Sequence, residues 1–319
     1  MLNVTVVQPP YHAGDNPDEK IAKFLLDQLR EVKPGSLIVL PEYSNAGGIS
    51  DVESEKRAMP RAEVMLKEAS AVAKEKGAYV AINVLGIRDG KIKNSTYLFD
   101  KKGEVAFIYD KQHLPPSEIT LGVEAGNGSG KCSCVCDLDG IRFAFMTCYD
   151  VYFNEQIEFI AQAKPDIIVI PGYQRGERTD IIRAQAKLTA FRANAYVARS
   201  SFSMDDDEHG GCSMIVGPDG IIIEDIGKDI GSISSEIDPL HKYMRTAGFG
   251  GDVVRNDPFI SPGLCPDAFK VLFEIDKQYK QEKEKTMKKL IYAIIAVAVA
   301  GIFFFAGLYV HSLQQPVTV

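Results

Sequence analysis

Phe143-Ala144-Phe145-Met146-Thr147-Cys148-Tyr149-Asp150-Val151-Tyr152-Phe153-Asn154-Glu155 begins as an apolar run and turns polar at its end. The run reads as a buried strand ending at Cys148, with a helix expected over Asn154–Ala163, about five residues on. A strand feeding a helix through a short turn is the building unit of a mixed α/β protein. A thiol in such a turn is exposed at a strand end and faces a helix N-terminus, which favours the thiolate. The backbone N–H groups after it, Tyr149 first, are placed to form an oxyanion hole. Taken alone, the same residue also reads as a buried inert cysteine, the commoner fate.

Two other strands end in the same way. Leu37-Ile38-Val39-Leu40-Pro41-Glu42-Tyr43 puts a carboxylate directly after an apolar run, which Pro41 stops because it cannot donate to a ladder. Glu42 is then a candidate general base with a raised pKa, or simply a capping or solvated loop residue. Ile108-Tyr109-Asp110-Lys111-Gln112-His113-Leu114-Pro115-Pro116-Ser117-Glu118 ends a strand at Lys111, which either polarises a carbonyl or lies on the surface beside Asp110. His113 reads more readily as structural than as catalytic. Strand C-termini are where α/β proteins gather ligands and reacting groups. Together, a Glu to take the thiol proton, a Lys to hold an oxyanion and a Cys to attack a carbonyl or nitrile carbon make one coherent set.

Around these stretches the pattern alternates strands, helices and hairpins. Strands are expected at Leu2–Val7, Ser36–Leu40, Ala78–Val84 (ended by Gly86), Thr96–Asp100, Glu104–Tyr109, Cys132–Leu138, Ile141–Met146, Ile167–Ile170, Tyr196–Ser201, Met214–Val216 and Ile221–Ile226. Helices are expected at Pro17–Val32 (Asn16 as N-cap), Arg61–Lys76, Asn154–Ala163 and Asp180–Ala195. No linker, repeat or low-complexity run interrupts residues 1–240, so one domain of mixed α/β class with layered sheets is expected. The Gly- and Pro-rich segment 241–266 reads as irregular.

The three strand-end motifs, LPEY, YDKQHLPP and TCYD, stand in the order and at the separations of the nitrilase superfamily of carbon–nitrogen hydrolases, which residues 1–240 resemble. NSTYLFDKKGEV and HGGCSMIVGPDGIIIEDIG are similar to two flanking stretches of the same family. The resemblance implies a four-layer α-β-β-α sandwich that pairs through its outer helices into a homodimer or larger homo-oligomer, and no cofactor. It carries over Glu42 as general base, Lys111 as the group stabilising the intermediate and Cys148 as nucleophile. It also implies a second carboxylate, for which Glu118 is preferred to Glu124. Many members have an Arg four residues after the nucleophile, where Tyr152 stands here. Such an Arg is a bidentate carboxylate site, so its loss withholds the substrates of those members. Tyr149-Asp150 resembles the amidase branches. A small-molecule amide is therefore expected as substrate, ahead of nitrile hydrolysis, of N-acyl transfer at the same site, or of a catalytically silent membrane-tethered binding protein.

Composition narrows the field independently. The 319 residues are 45% hydrophobic and 25% charged, which excludes a disordered, collagenous or coiled-coil chain. Six cysteines are too few for a disulfide scaffold, and a net charge of −7 gives no support for nucleic-acid binding. Cys132-Ser133-Cys134-Val135-Cys136 lacks zinc spacing, and its alternation points the thiols to one face of a strand. Gly126-Asn127-Gly128-Ser129-Gly130-Lys131 lacks the gap of a phosphate loop, and the five histidines show no ligand spacing, so no metal is expected. Asn3, Asn94 and Asn127 open glycosylation sequons that read as chance matches.

The C-terminal part differs in kind. Leu290–Val310 is 21 residues without a charge, enough for a helix about 30 Å long. Lys283, Lys285, Lys288 and Lys289 precede it and only His311 follows, so a single-pass anchor with the catalytic domain (residues 1–266) in the cytoplasm is expected. Residues 267–289 then form a charged juxtamembrane helix and 311–319 a short tail. No N-terminal signal peptide is evident, and free thiols are expected.

Overall fold

The computed structural model describes residues 1–126 and 133–265, together with 267, 285 and 287–289. It divides into two units, Met1–Pro262 and Gly263–Val319. The expected anchor Leu290–Val310, the tail 311–319 and nearly all of the expected helix 267–289 lie outside the described residues. Among the described residues no helix is long and apolar enough to cross a membrane.

The first unit is built on two six-stranded sheets. One takes β1 (Leu2–Gln8), β2 (Leu37–Val39), β3 (Tyr79–Arg88), β4 (Lys91–Phe99), β5 (Val105–Asp110) and β12 (Gly231–Ile237), in the order β12-β1-β2-β3-β4-β5. The other takes β6 (Val135–Leu138), β7 (Ile141–Phe145), β8 (Ile167–Pro171), β9 (Tyr196–Ser200), β10 (Met214–Val216) and β11 (Ile222–Asp225), in the order β11-β10-β9-β8-β7-β6. β1, β2 and β3 run parallel, as do β7, β8 and β9, and antiparallel hairpins extend each sheet.

Strand alternation sorts the side chains into layers. Val4, Val6, Leu37, Val39, Tyr79 and Ala81 pack with Phe143, Phe145, Ile168 and Val197 of the second sheet. Their neighbours Val7, Ile38, Val80 and Ile82 turn the other way, onto Ile21, Leu25 and Leu29 of α1 (Pro17–Arg30) and Met65, Ala69 and Val72 of α3 (Arg61–Lys76). On the far side of the second sheet lie α5 (Asn154–Ala163) and α6 (Thr179–Ala193), with Ile157, Ile160, Ile182 and Ala190 buried in the core. The layers are therefore helix, sheet, sheet, helix, the order the family resemblance implies, within the mixed α/β class that the strand–helix alternation implies.

Four local expectations are corrected. Asn16 lies in the left-handed region at φ 51° and makes no side-chain cap to α1; Pro17, which has no N–H in need of an acceptor, starts the helix. β3 does not stop at Gly86 but runs to Arg88, where Asp89 and Gly90 (φ 54° and 74°) make a tight hairpin into a β4 that begins at Lys91. The irregular segment contains a small hairpin, β13 (Met244–Thr246) with β14 (Val253–Arg255), and the short helix α7 (Asn256–Ile260). The helices α2 (Val52–Ala58) and α4 (Pro116–Leu121) have no counterpart in the sequence reading. Of the cysteine alternation, Cys134 is buried between the sheets, Cys136 is half-buried with its thiol pushed up to about 12 by burial, and Cys132 is outside the described residues.

Candidate active site

Glu42, Lys111 and Cys148 follow strands of both sheets and line one cavity of about 390 Å³. Glu42 comes three residues after β2, where Leu40 is still held by a backbone bond from its N–H to Ala81 O. The turn after it is anchored from β3: Asn83 Oδ1 accepts from Tyr43 N–H (2.9 Å), and Ser44 N–H donates to Asn83 O. Lys111 follows β5 directly. Its N–H donates to Asn94 O, and its carbonyl accepts from Gly126 N–H (2.9 Å). A Cβ on Gly126 would stand 2.4 Å from Asp110 O, so this close approach requires glycine.

Cys148 opens a 3-10 turn, Cys148–Tyr152, at the left-handed φ of 47°. A non-glycine residue there is strained by about 1–2 kcal/mol. Thr147 and Asp150 hold the turn as a reciprocal capping box. Asp150 is completely buried. It accepts from Thr147 N–H (2.8 Å) and Tyr109 Oη (2.7 Å), and from His113 N–H (2.9 Å). His113 Nδ1 also lies 2.9 Å from it. His113 is thus a support for the turn, beside Asp150 and stacked on Phe153.

At the centre is a buried polar cluster. Lys111 Nζ donates to Glu42 Oε1 (2.8 Å) and to Glu118 Oε1 (3.0 Å). Asn94 Nδ2 donates to the same two oxygens (2.7 and 2.8 Å), and Tyr43 Oη donates to Glu118 Oε1 (3.0 Å). Asn94 is fixed in turn by Asn83 Nδ2 on its Oδ1 (2.7 Å). All these side chains are 7% exposed or less. Among the described residues Glu118 Oε2 is buried without a hydrogen-bond partner.

The charges set the proton positions. Burial pushes the Glu118 carboxyl up to about 7, with Lys111 opposing and Glu42 adding to the rise. Burial would release the Lys111 proton, but Glu42, Cys148 and Glu118 outweigh it and hold the ammonium charged well beyond neutrality. Burial, then the Glu42 carboxylate, raise the Cys148 thiol well above its ordinary range, against the pull of the Lys111 ammonium. The resting group is therefore a thiol, not the thiolate a helix N-terminus alone suggests: desolvation and a carboxylate neighbour outweigh the turn.

Of the two candidate second carboxylates, Glu118 is in the cluster, while Glu124 is on the surface between Lys91 and Lys93. Tyr149 borders the cavity beside Cys148. Asn83, and the supporting roles of Asn94, Tyr43 and Asp150, escaped the sequence reading. Asn94 was visible there only as part of a sequon, and its bridging role depends on strand pairing across β3 and β4. Among the described residues no cluster of three or more His, Cys, Asp or Glu side chains is arranged to hold a metal ion.

The sequence profile of the carbon–nitrogen hydrolases matches residues 3–240. The 2-oxoglutaramate amidase of Bacillus subtilis is 26% identical over 230 residues, spanning 70% of this chain and 85% of that enzyme. A nitrilase homolog of Dictyostelium discoideum is 26% identical over 167 residues, half of each chain (50% and 51%). A variant of an amidase of the nitrilase superfamily from Nesterenkonia AN1 superposes with a TM-score of 0.62 at 17% identity, over 74% of this chain and 90% of that one, which establishes the shared fold. The chain belongs to the carbon–nitrogen hydrolase family and is a hydrolase of non-peptide carbon–nitrogen bonds.

Proposed function

We propose that the protein hydrolyses a small-molecule amide through a thioester on Cys148. Glu42 takes the thiol proton as sulfur attacks the carbonyl carbon. The oxyanion of the tetrahedral intermediate is received by the Lys111 ammonium and the Tyr149 backbone N–H. Collapse breaks the carbon–nitrogen bond, and ammonia or a small amine leaves with the proton that Glu42 held. Water, deprotonated by Glu42, then attacks the thioester and releases a carboxylic acid and the thiol. Glu118 orients the substrate amide through its unpartnered oxygen and keeps Lys111 in place. Only residues of this chain enter the steps.

One observation carries the reading: a buried lysine bridges two carboxylates at 2.8 and 3.0 Å, and all three line one cavity with the Cys148 thiol. That is the base–nucleophile–cation relation the chemistry needs. The amidase activity named for the Bacillus subtilis relative supports an amide over a nitrile. Cys148→Ala, assayed on a panel of amides by mass spectrometry, tests it. Loss of turnover by at least ~10³-fold is expected, and turnover surviving in the variant overturns the reading.

The same proposal places the enzyme on a membrane through Leu290–Val310 with its catalytic domain in the cytoplasm, on the strength of the uncharged span and its lysine-rich flank. Retention in the membrane fraction after alkaline carbonate extraction is expected; release of the full chain overturns it. Self-association is proposed through the helical layer that exposes Phe159, Ile181 and Leu188, with a dimer or larger assembly expected by light scattering.

A further inference from the structure

The catalytic cluster occupies one part of the cavity, and other residues lining it carry charges the reaction does not use. They are Arg175 and Glu177, which follow β8, and Glu55 on α2. Arg175 is held in place. Its guanidinium lies over the rings of Tyr173 (4.7 Å) and Tyr11 (5.3 Å), and Nη1 donates to Tyr11 Oη at 2.7 Å. Its Nη2 and Nε have no acceptor among the described residues. A guanidinium pinned by two rings with part of its fork free is a preorganised receiver for a carboxylate.

The residue before Arg175 is anchored. The fully buried Arg199 donates to Gln174 Oε1 (3.0 Å), and Gln174 Nε2 donates to Gln185 Oε1 (2.9 Å) and Tyr152 Oη (3.2 Å). Tyr152 stands where many family members have an arginine, so the cation here comes from a different element.

Glu55 is the counterpart. It is half-buried on the cavity wall, and among the described residues it has no ion pair and no side-chain hydrogen bond. Burial raises its carboxyl, with Arg175 pulling it back through space. Glu177, by contrast, is already engaged by Tyr152 Oη at 2.5 Å and by Arg178 N–H at 3.0 Å. A ligand bearing only a carboxylate would satisfy Arg175 but add repulsion from Glu55 and Glu177. A ligand bearing only an ammonium would leave the guanidinium fork unused. A ligand with both groups on one carbon answers both.

We infer that the substrate is a short α-amino acid carrying its amide at the far end of the side chain, with its α-carboxylate on Arg175 and its α-ammonium on Glu55. This rests on the amidase reading and specifies the substrate of that site.

The test is a set of amides built on the glutamine frame: glutamine, with asparagine one methylene shorter, glutaramic acid (carboxylate only), 4-aminobutanamide (ammonium only) and pentanamide (neither). The full-length protein is expected to hydrolyse glutamine or asparagine with kcat/KM at least ~10-fold above the other three. Arg175→Met should lower the ratio of that kcat/KM to the pentanamide value by ~10–100-fold, and Glu55→Gln the ratio to the glutaramic acid value by ~10-fold. Should either variant fail to fold, inhibition of wild-type pentanamide turnover by glutamate, glutarate and 4-aminobutyrate gives the same ranking, with glutamate strongest. Equal use of all four classes, or a preference for the carboxylate-only or ammonium-only amide, overturns the inference while leaving a Cys148-dependent amidase standing. Failure of the amidase reading itself shows instead as no Cys148-dependent turnover of any member.

Discussion

Lys111 with Glu42 and Glu118, and Lys91 and Lys93 with Glu124, are assemblies of the same residue types drawn in part from the same stretch of chain. In the first, the partners are 1–6% exposed and every polar contact comes from another buried side chain. In the second, Lys91 and Glu124 are 56% and 41% exposed with only Lys93 covered, at 12%, and the hydrogen bond from Lys91 lowers the Glu124 carboxyl against the opposing effect of burial. The same residue types thus form a buried cluster beside a cavity in one place and a largely solvated surface contact in the other. Desolvation makes the difference, because it penalises every uncompensated charge and forces the protons into shared positions.

The largest contrast is expected from deleting the cations. Lys111→Met leaves two carboxylates in the core with one fewer countercharge, which costs about 3–5 kcal/mol of stability and at least ~10³-fold in turnover. Lys91→Met should cost less than about 1 kcal/mol. Thermal unfolding with parallel kinetics checks both, and a Lys111 variant as stable as the Lys91 variant breaks the distinction. Next come the acids. Glu118→Gln should lower kcat by roughly 10²-fold while Glu124→Gln stays within about 2-fold, since only the first meets Lys111 and the cavity. Equal kinetics would place the second carboxylate elsewhere.

A third effect is a pH dependence. The Glu118 carboxyl is raised to about 7 in the folded chain, against roughly 4.3 when unfolded. The folded state therefore holds its proton while the unfolded state has already lost one. The stabilisation from the protonated buried acid is complete below about pH 4 and is lost as pH rises to about 7. Denaturant titrations of wild type and Glu118→Gln across that window should show the difference drifting against wild type with rising pH; a flat difference contradicts the raised value. Within the buried cluster the smallest effect is expected at Asn94. Asn94→Ala removes one donor shared by Glu42 and Glu118 and should cost about 1–3 kcal/mol, visible as a lower unfolding midpoint with a smaller loss of turnover than at Lys111.

The contrast also marks what a sequence can disclose. Strand ends are legible because a buried strand is a run of apolar residues and a polar residue after it is conspicuous; that is how Glu42, Lys111 and Cys148 are found. The layering follows from the same alternation, with Val4 and Val6 turned to one side and Val7 to the other. Glu118 and Glu124 are separated only by the turn of α4, which directs one inward, and six residues of chain carry no signal of that. Asn94 matters because β4 pairs with β3 and brings it over Glu42, a relation between distant residues. The hairpin of β13 and β14 is hidden for another reason. Its strands are three residues long with exposed side chains, so no apolar period announces it. The Cys148 thiol shows the limit for electrostatics: the turn favours thiolate, and only the packed neighbours reveal that Glu42 and burial prevail.

The most direct test of the central claim is the mass of the protein trapped during turnover of an amide, with peptide mapping of the adduct. The account predicts an acyl group in thioester linkage on Cys148, absent from the other five cysteines, trapped in the wild-type enzyme by acid quenching during turnover, slower to form in Glu42→Gln and missing in Cys148→Ala. Turnover without an acyl-enzyme, or an adduct on another thiol, would contradict it.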